Sequence, residues 1–155
     1  MRDEATAFVL FPLGEKRFAL PAEQVSELAR ADQLQDFPHT SPWLAGVLVR
    51  RGNVVPVCDI AKALVPGEAP PRKFYLIAKR RVGSNCEDTG IPVSGDCELA
   101  ISEMLPVSGQ LPSYAAGVLS LESEIVEVID LEKLLASDAH KPSPRGAAAS
   151  TEAAR

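Results

Sequence analysis

Two stretches of this chain, WLAGVLVRRGNVVPVCDIAKAL (residues 43–64) and YAAGVLSLESEIVEVIDLEKLL (residues 114–135), lie over one another without a gap at an offset of 71 residues. Ala-Gly-Val-Leu is common to both. So are Val55 and Val126, Val57 and Val128, Asp59 and Asp130, Lys62 and Lys133, and Leu64 and Leu135. Trp43 faces Tyr114, Val54 faces Ile125, and Ile60 faces Leu131. A match of that density identifies an internal repeat: the chain holds two copies of one small β unit. In the first copy, apolar runs at 47–50 and 54–60 flank Arg51-Gly52-Asn53, a hairpin with glycine at the turn, where positive φ costs little. The join between the copies falls near residues 66–72 (PGEAPPR).

Outward from the repeat, thirteen prolines and ten glycines cut the sequence into short runs of β-branched and aromatic residues that read as strands. Residues 7–12 and 16–20 flank Leu13-Gly14-Glu15 as another hairpin. Residues 74–81 form a strongly apolar strand, 98–104 and 116–121 weaker ones, and 125–131 a clear one. Residues 21–31 hold a turn or two of helix or an irregular strand. Asp59 and Asp130 each precede a lysine and leucines, and each is placed to N-cap a short helix. Residues 84–95 (SNCEDTGIPVSG) read as a long hairpin loop in the second half. Pro56 cannot donate to a ladder, so it predicts an edge or a bulge. Turn signals spaced roughly 8–12 residues apart predict small barrels or a sandwich. From Ser137 onward (SDAHKPSPRGAAASTEAAR) no apolar period remains, and a mobile tail over 137–155 is expected.

The composition excludes several classes. With 46% hydrophobic and 24% charged residues, the protein has a core to bury. A net charge of -5 and a pI near 5.1 are the wrong sign for tracking phosphate backbones, so no nucleic-acid partner is expected. Lys79-Arg80-Arg81 is the single basic run, and it reads as a solvated strand end. The N-terminus Met1-Arg2-Asp3-Glu4 is not that of a signal peptide. No apolar run approaches the roughly 20 residues that span a bilayer, so no membrane insertion is expected. The three cysteines are odd in number and form no Cys-x-x-Cys pair, which predicts a reduced, cytoplasmic protein. Cys86 and Cys97 have no histidine nearby, and His39 and His140 are the only two; no metal, cofactor or catalytic residue is predicted. Phosphate-binding and nucleophile-elbow motifs are absent.

The segment from Gly46 to Ile60 (GVLVRRGNVVPVCDI) resembles the signature of the CheW family: Gly-Val-apolar-x-x-Arg-Gly, an apolar pair, Pro-Val, then Asp and an aliphatic residue. Phe18-Ala19-Leu20-Pro21, Val25-Ser26-Glu27-Leu28 and the proline-containing approach 37–43 are similar to the segments that precede it. The resemblance runs over residues 8–135. It implies an all-β fold of two five-stranded SH3-like barrels packed side by side with few helical turns, as a single domain over 7–136 in which strands exchange across the join. It implies no enzymatic activity. Its partners would be the cytoplasmic tip of a chemoreceptor and the regulatory domain of a CheA-type histidine kinase, which the protein would couple in receptor arrays at the membrane. Only the first copy carries the signature: Glu122-Ser123 stands for Arg51-Gly52, and Glu127 for Pro56. Two other readings stay open, a scaffold that binds one of those partners in a pathway such as pilus-based movement, and an unrelated tandem SH3-like peptide module. The second has little aromatic material for a groove, at 5%.

The resemblance places partner-binding residues at Leu20, Val25, Glu27, Val49, Arg51 and Gly52, with Gly46, Pro56 and Asp59 as structural members of the signature. Gly52 permits the tight turn, and Arg51 beside it is either solvated or presented to a partner, braced by Glu27. Leu28 and Val47 are further apolar candidates, although a small barrel fills nearly every inward position from such residues. Trp43 and Tyr114 read as core aromatics.

Overall fold

The computed structural model describes residues 5–30, 34–36, 44–67, 70–106, 109 and 112–139. His39, Trp43, His140 and the approach 37–43 lie outside the described residues. Among the described residues ten strands are present: β1 Thr6–Leu13, β2 Lys16–Pro21, β3 Val25–Arg30, β4 Leu44–Arg50, β5 Asn53–Cys58, β6 Phe74–Val82, β7 Asn85–Val93, β8 Glu98–Ser102, β9 Ala115–Leu121 and β10 Glu124–Ile129. A 3-10 turn, Ala22–Gln24, precedes β3, and two helices, α1 Ala61–Leu64 and α2 Leu131–Ala139, follow β5 and β10. The strands form two five-stranded sheets, ordered β8-β1-β2-β10-β9 and β3-β6-β7-β5-β4. The N-terminal hairpin β1–β2 therefore shares a sheet with the second repeat copy.

Each sheet curls until a short segment after its first-named strand reaches its last. Gln35 and Val47 exchange two backbone hydrogen bonds of 2.8 Å, and Leu105 and Val118 exchange bonds of 2.8 and 3.1 Å. The glycines of the shared Ala-Gly-Val-Leu make this closure possible. A Cβ on Gly46 would stand 2.6 Å from the Gln35 carbonyl oxygen, and one on Gly117 would stand 2.8 Å from that of Leu105. The repeat and the expected pair of five-stranded barrels are both present.

Strand alternation sorts the apolar residues into three clusters. Phe8, Leu10, Ala19, Leu119, Val126 and Val128 fill one curled sheet. Ala29, Leu48, Val55, Val57, Tyr75 and Ile77 fill the other. The largest lies between the sheets, where Phe11, Leu13, Phe18 and Leu20 meet Leu76, Ala78, Ile91 and Val93, closed by Ile60 and Leu64 at α1 and by Leu131, Leu134 and Leu135 of α2. Strands β1, β2 and β6 are thus buried on both faces, which is why they read as continuous apolar runs.

Several local expectations need correction. Residues 85–93 are strand β7, paired to β6 along its whole length, not a loop. Gly90, which looks like a turn residue, is there because a Cβ would meet Val57 Cγ2 at 2.9 Å across the parallel pair β5–β7. Residues 21–31 resolve into the 3-10 turn and strand β3, with a register shift between Val25 and Glu27. The strand read over 125–131 ends at Ile129, and Leu131 opens α2. That helix runs to Ala139, so the first residues of the expected tail are helical; 140–155 lie outside the described residues. Asp130 does cap α2, its Oδ1 accepting from Lys133 N–H at 3.1 Å. Asp59 does not cap α1, which has no side-chain cap. It is buried, and its carboxylate accepts from Arg72 at 2.8 Å. Pro56 sits in β5, an interior strand rather than an edge. Pairs along the β4–β5 hairpin alternate from Arg50↔Asn53 at the turn, so Val47↔Pro56 is a non-hydrogen-bonded pair and the Pro56 nitrogen points toward β7. That ladder is registered only at Val57↔Gly90, so the missing N–H is not needed there.

Candidate functional site

The β4–β5 hairpin carries Val49, Arg51 and Gly52 of the residues that the sequence singles out. Arg51 and Gly52 both have positive φ, 53° and 80°, which makes the two-residue connection a primed turn matched to strand twist. Arg51 holds a left-handed conformation that disfavours any side chain. Its guanidinium arm is exposed at the tip, and no atom would meet a Cβ on Gly52.

Glu27 is braced by Arg50, not by Arg51 as the sequence reading has it. The Arg50 guanidinium donates to Glu27 Oε1 at 2.6 Å, with both side chains about a quarter exposed. Parity decides the partner. Arg50 follows Leu48, whose side chain points into the curled sheet, and Glu27 precedes Ala29 on the same side. The pair closes the rim above the Leu48–Ala29 cluster, and Arg51 contributes only longer-range attraction. The hydrogen bond from Arg50 holds the Glu27 carboxyl below its usual range and raises Arg50.

On the outer face of the hairpin, Val49 and Val54 are cross-strand neighbours, 51% and 59% exposed. Behind them Val47 is buried and Pro56 half-buried. Val54 is a residue that the sequence reading missed; its register opposite Val49 is the signal that finds it. Leu28 adds 41% exposure on β3, and Val25 is half-buried against the cluster between the sheets. Leu20 does not reach the surface. It is 0% exposed within that same cluster, so its place among surface candidates is corrected. Gly46 serves closure, and Pro56 and Asp59 serve the strand and its anchor. The structure thus brings Glu27, Arg50 and Arg51 to one rim, with Val49 and Val54 beside them.

The matching hairpin β9–β10 carries different chemistry. Glu122, at φ 45°, replaces Arg51, and Ser120 opposite Ile125 replaces the valine pair. At its rim Arg17 bridges two carboxylates, Glu124 Oε1 at 2.5 Å and Glu98 Oε1 at 3.2 Å. The first of these bonds holds Glu124 below its usual range. Tyr114 is half-buried and donates to Glu127 Oε1 at 3.1 Å, and burial pushes its hydroxyl up to about 12. The three cysteines are free; burial, then Asp96, pushes Cys97 up to about 11, away from thiolate chemistry. Among the described residues no cluster of His, Cys, Asp and Glu is suited to a metal, and no helix is long and apolar enough to cross a membrane.

The CheW-like domain family matches residues 7–139. Protein FrzA of Myxococcus xanthus is 31% identical over 137 residues, covering 83% of this chain and 84% of that protein. Chemotaxis protein CheW of Rhizobium meliloti is 25% identical over 142 residues, covering 84% and 87%. The crystal structure of the scaffolding protein TtCheW from Thermoanaerobacter tengcongensis superposes with a TM-score of 0.70 at 19% identity, covering 86% and 88%.

Proposed function

The chain belongs to the CheW-like domain family, and from that premise we propose that it couples chemoreceptors to a CheA-type histidine kinase by binding both in the cytoplasm. Its role as a chemotaxis adaptor of the scaffolding kind, rather than an enzyme, follows from the family and from the relatives that share its length. The finer reading names the partners: a receptor's cytoplasmic tip and the kinase regulatory domain, brought together at membrane-associated arrays.

The observation that carries this reading is the rim of the first-copy hairpin. A charged tip, Arg51, stands beside a buttressed Glu27–Arg50 pair and an uncovered valine pair. Exposed ion pairs are worth about 0.2–1 kcal/mol, so Arg51 sets orientation. Burying what Val49 and Val54 leave exposed supplies on the order of 2–3 kcal/mol, against about 8 kcal/mol for micromolar binding. The contact therefore extends past the hairpin to Leu28 and Val25 on β3.

Binding of the full-length protein and its Arg51→Glu variant to a receptor tip fragment and to a kinase regulatory domain tests the reading. Wild type is expected to bind both, and the variant to lose one of them by tenfold or more with an unchanged circular dichroism spectrum. Wild-type failure with either fragment from its own organism sinks the coupling role.

A further inference from the structure

Strand β8 ends one of the two sheets and is paired on the side of β1 only. Among the described residues its other side is matched just beyond the strand, where Leu105 bonds Val118 of β9. Strand parity shows what that open edge offers. The turn between β1 and β2 has two residues, Gly14 and Glu15, so Leu13↔Lys16 is a hydrogen-bonded pair and the pairs alternate from there. Phe8↔Pro21 then falls on a non-hydrogen-bonded pair, as a proline in β2 requires. Leu10, Phe8 and Thr6 therefore turn their backbone groups toward Glu98, Ala100 and Ser102 of β8. The N–H and C=O of Leu99 and Ile101 point the other way, into the open edge, as those of Leu105 do. Their side chains are bare too, 69% and 73% exposed, on the outer face beside Val9 and Ala7.

An apolar edge strand pairs with other strands unless it is charged, bulged or covered. The one charge on β8, Glu98, is engaged by Arg17 at 3.2 Å. The sequence Glu-Leu-Ala-Ile-Ser is self-complementary about Ala100. An antiparallel partner strand centred there sets Leu99 opposite Ile101 of the second copy, and Ile101 opposite its Leu99. Both are hydrogen-bonded pairs, so four backbone bonds form, and Ala100 meets its own equivalent in a non-hydrogen-bonded pair. The four large side chains share the outer face as one apolar cluster, and Glu98 faces Ser102 rather than another carboxylate. We propose that two copies of this chain pair through β8, antiparallel and in that register, about a two-fold axis. Strands of five residues bury too little for a permanent dimer. The pairing is therefore reversible, with a dissociation constant on the order of 100 µM. It does not depend on the coupling function, and it links adaptors in twos wherever they are held close together.

Sedimentation equilibrium of the full-length protein, from about 5 µM to about 1 mM, tests it. Wild type is expected to shift from monomer to dimer over that range. Ile101→Lys and Leu99→Lys, at positions already exposed, should each weaken the dimer about tenfold or more while melting at the wild-type temperature. Val54→Lys, which removes a similarly exposed apolar residue, 59%, from the other sheet, should dimerise as wild type does. Register is read separately, with the apolar edge intact. In a Cys86→Ser background, Ala100→Cys should give a disulfide-linked dimer under mild oxidation, and the background alone should not. Opposed residues of a non-hydrogen-bonded pair bring their Cα atoms about 4.5 Å apart, within disulfide reach. That readout decides the matter if a lysine variant melts early. A wild type that stays monomeric at every concentration overturns the proposal and leaves the edge to a strand of another protein. So do lysine variants that dimerise as wild type does, a Val54→Lys variant that loses the dimer with them, or an Ala100→Cys variant that links no better than its background.

Discussion

The hairpins β4–β5 and β9–β10 are the same object built twice, and they differ most at their tips and on their outward faces. Both close their sheet through a glycine pressed against a carbonyl oxygen, Gly46 on Gln35 and Gly117 on Leu105. Both bury the same inward pair, Leu48 with Val55 and Leu119 with Val126. Yet one tip is Arg51-Gly52 and the other Glu122-Ser123, and the exposed neighbours are Val49 and Val54 in one, Ser120 and Ile125 in the other. Identity is kept where packing leaves no choice. The outward positions are free of that constraint, and there the two tips carry opposite charge, Arg51 in one and Glu122 in the other.

The largest effect expected from this comparison is on closure. Gly46→Ala and Gly117→Ala each force a Cβ onto backbone that cannot swing aside, and each should destabilise by about 2–3 kcal/mol in urea denaturation. Equal costs would confirm the equivalence of the two closures, and a difference above about 1 kcal/mol would break it. At the turns, Arg51→Gly and Glu122→Gly both relieve a left-handed side chain and should stabilise by about 0.5–1 kcal/mol. Only Arg51→Gly should weaken partner binding; equal binding losses would erase the functional asymmetry. The smallest effect is on the acid limb. The carboxyls of Glu27 and Glu124 are depressed from 4.5. Their contribution is therefore present above that pH and lost as pH falls through the lower folded value. Glu27→Gln and Glu124→Gln should each flatten the loss of stability on acidification below pH 4.5, and parallel wild-type and variant curves would show that the rim pairs do not act this way.

What the sequence made legible follows the same division. The repeat is visible because glycine at closure and valines at inward positions are dictated by contact. Strand β7 is hidden because its first four residues are exposed and polar beyond the curled sheet, while Gly90 and Pro92 imitate a turn although both are buried. Leu20 misleads because β2 is covered on both faces, so an apolar residue there says nothing about a surface. The partner of Glu27 differs from the sequence reading by one position, since only strand parity separates Arg50, which points inward, from Arg51 at the tip.

The central claim is coupling, and co-sedimentation of the kinase with receptor-bearing membranes tests it most directly. With this protein added, the kinase should pellet with the membranes in proportion to the adaptor bound, and the Arg51→Glu variant should reduce that fraction. Kinase that pellets to the same extent with and without the protein would contradict the account.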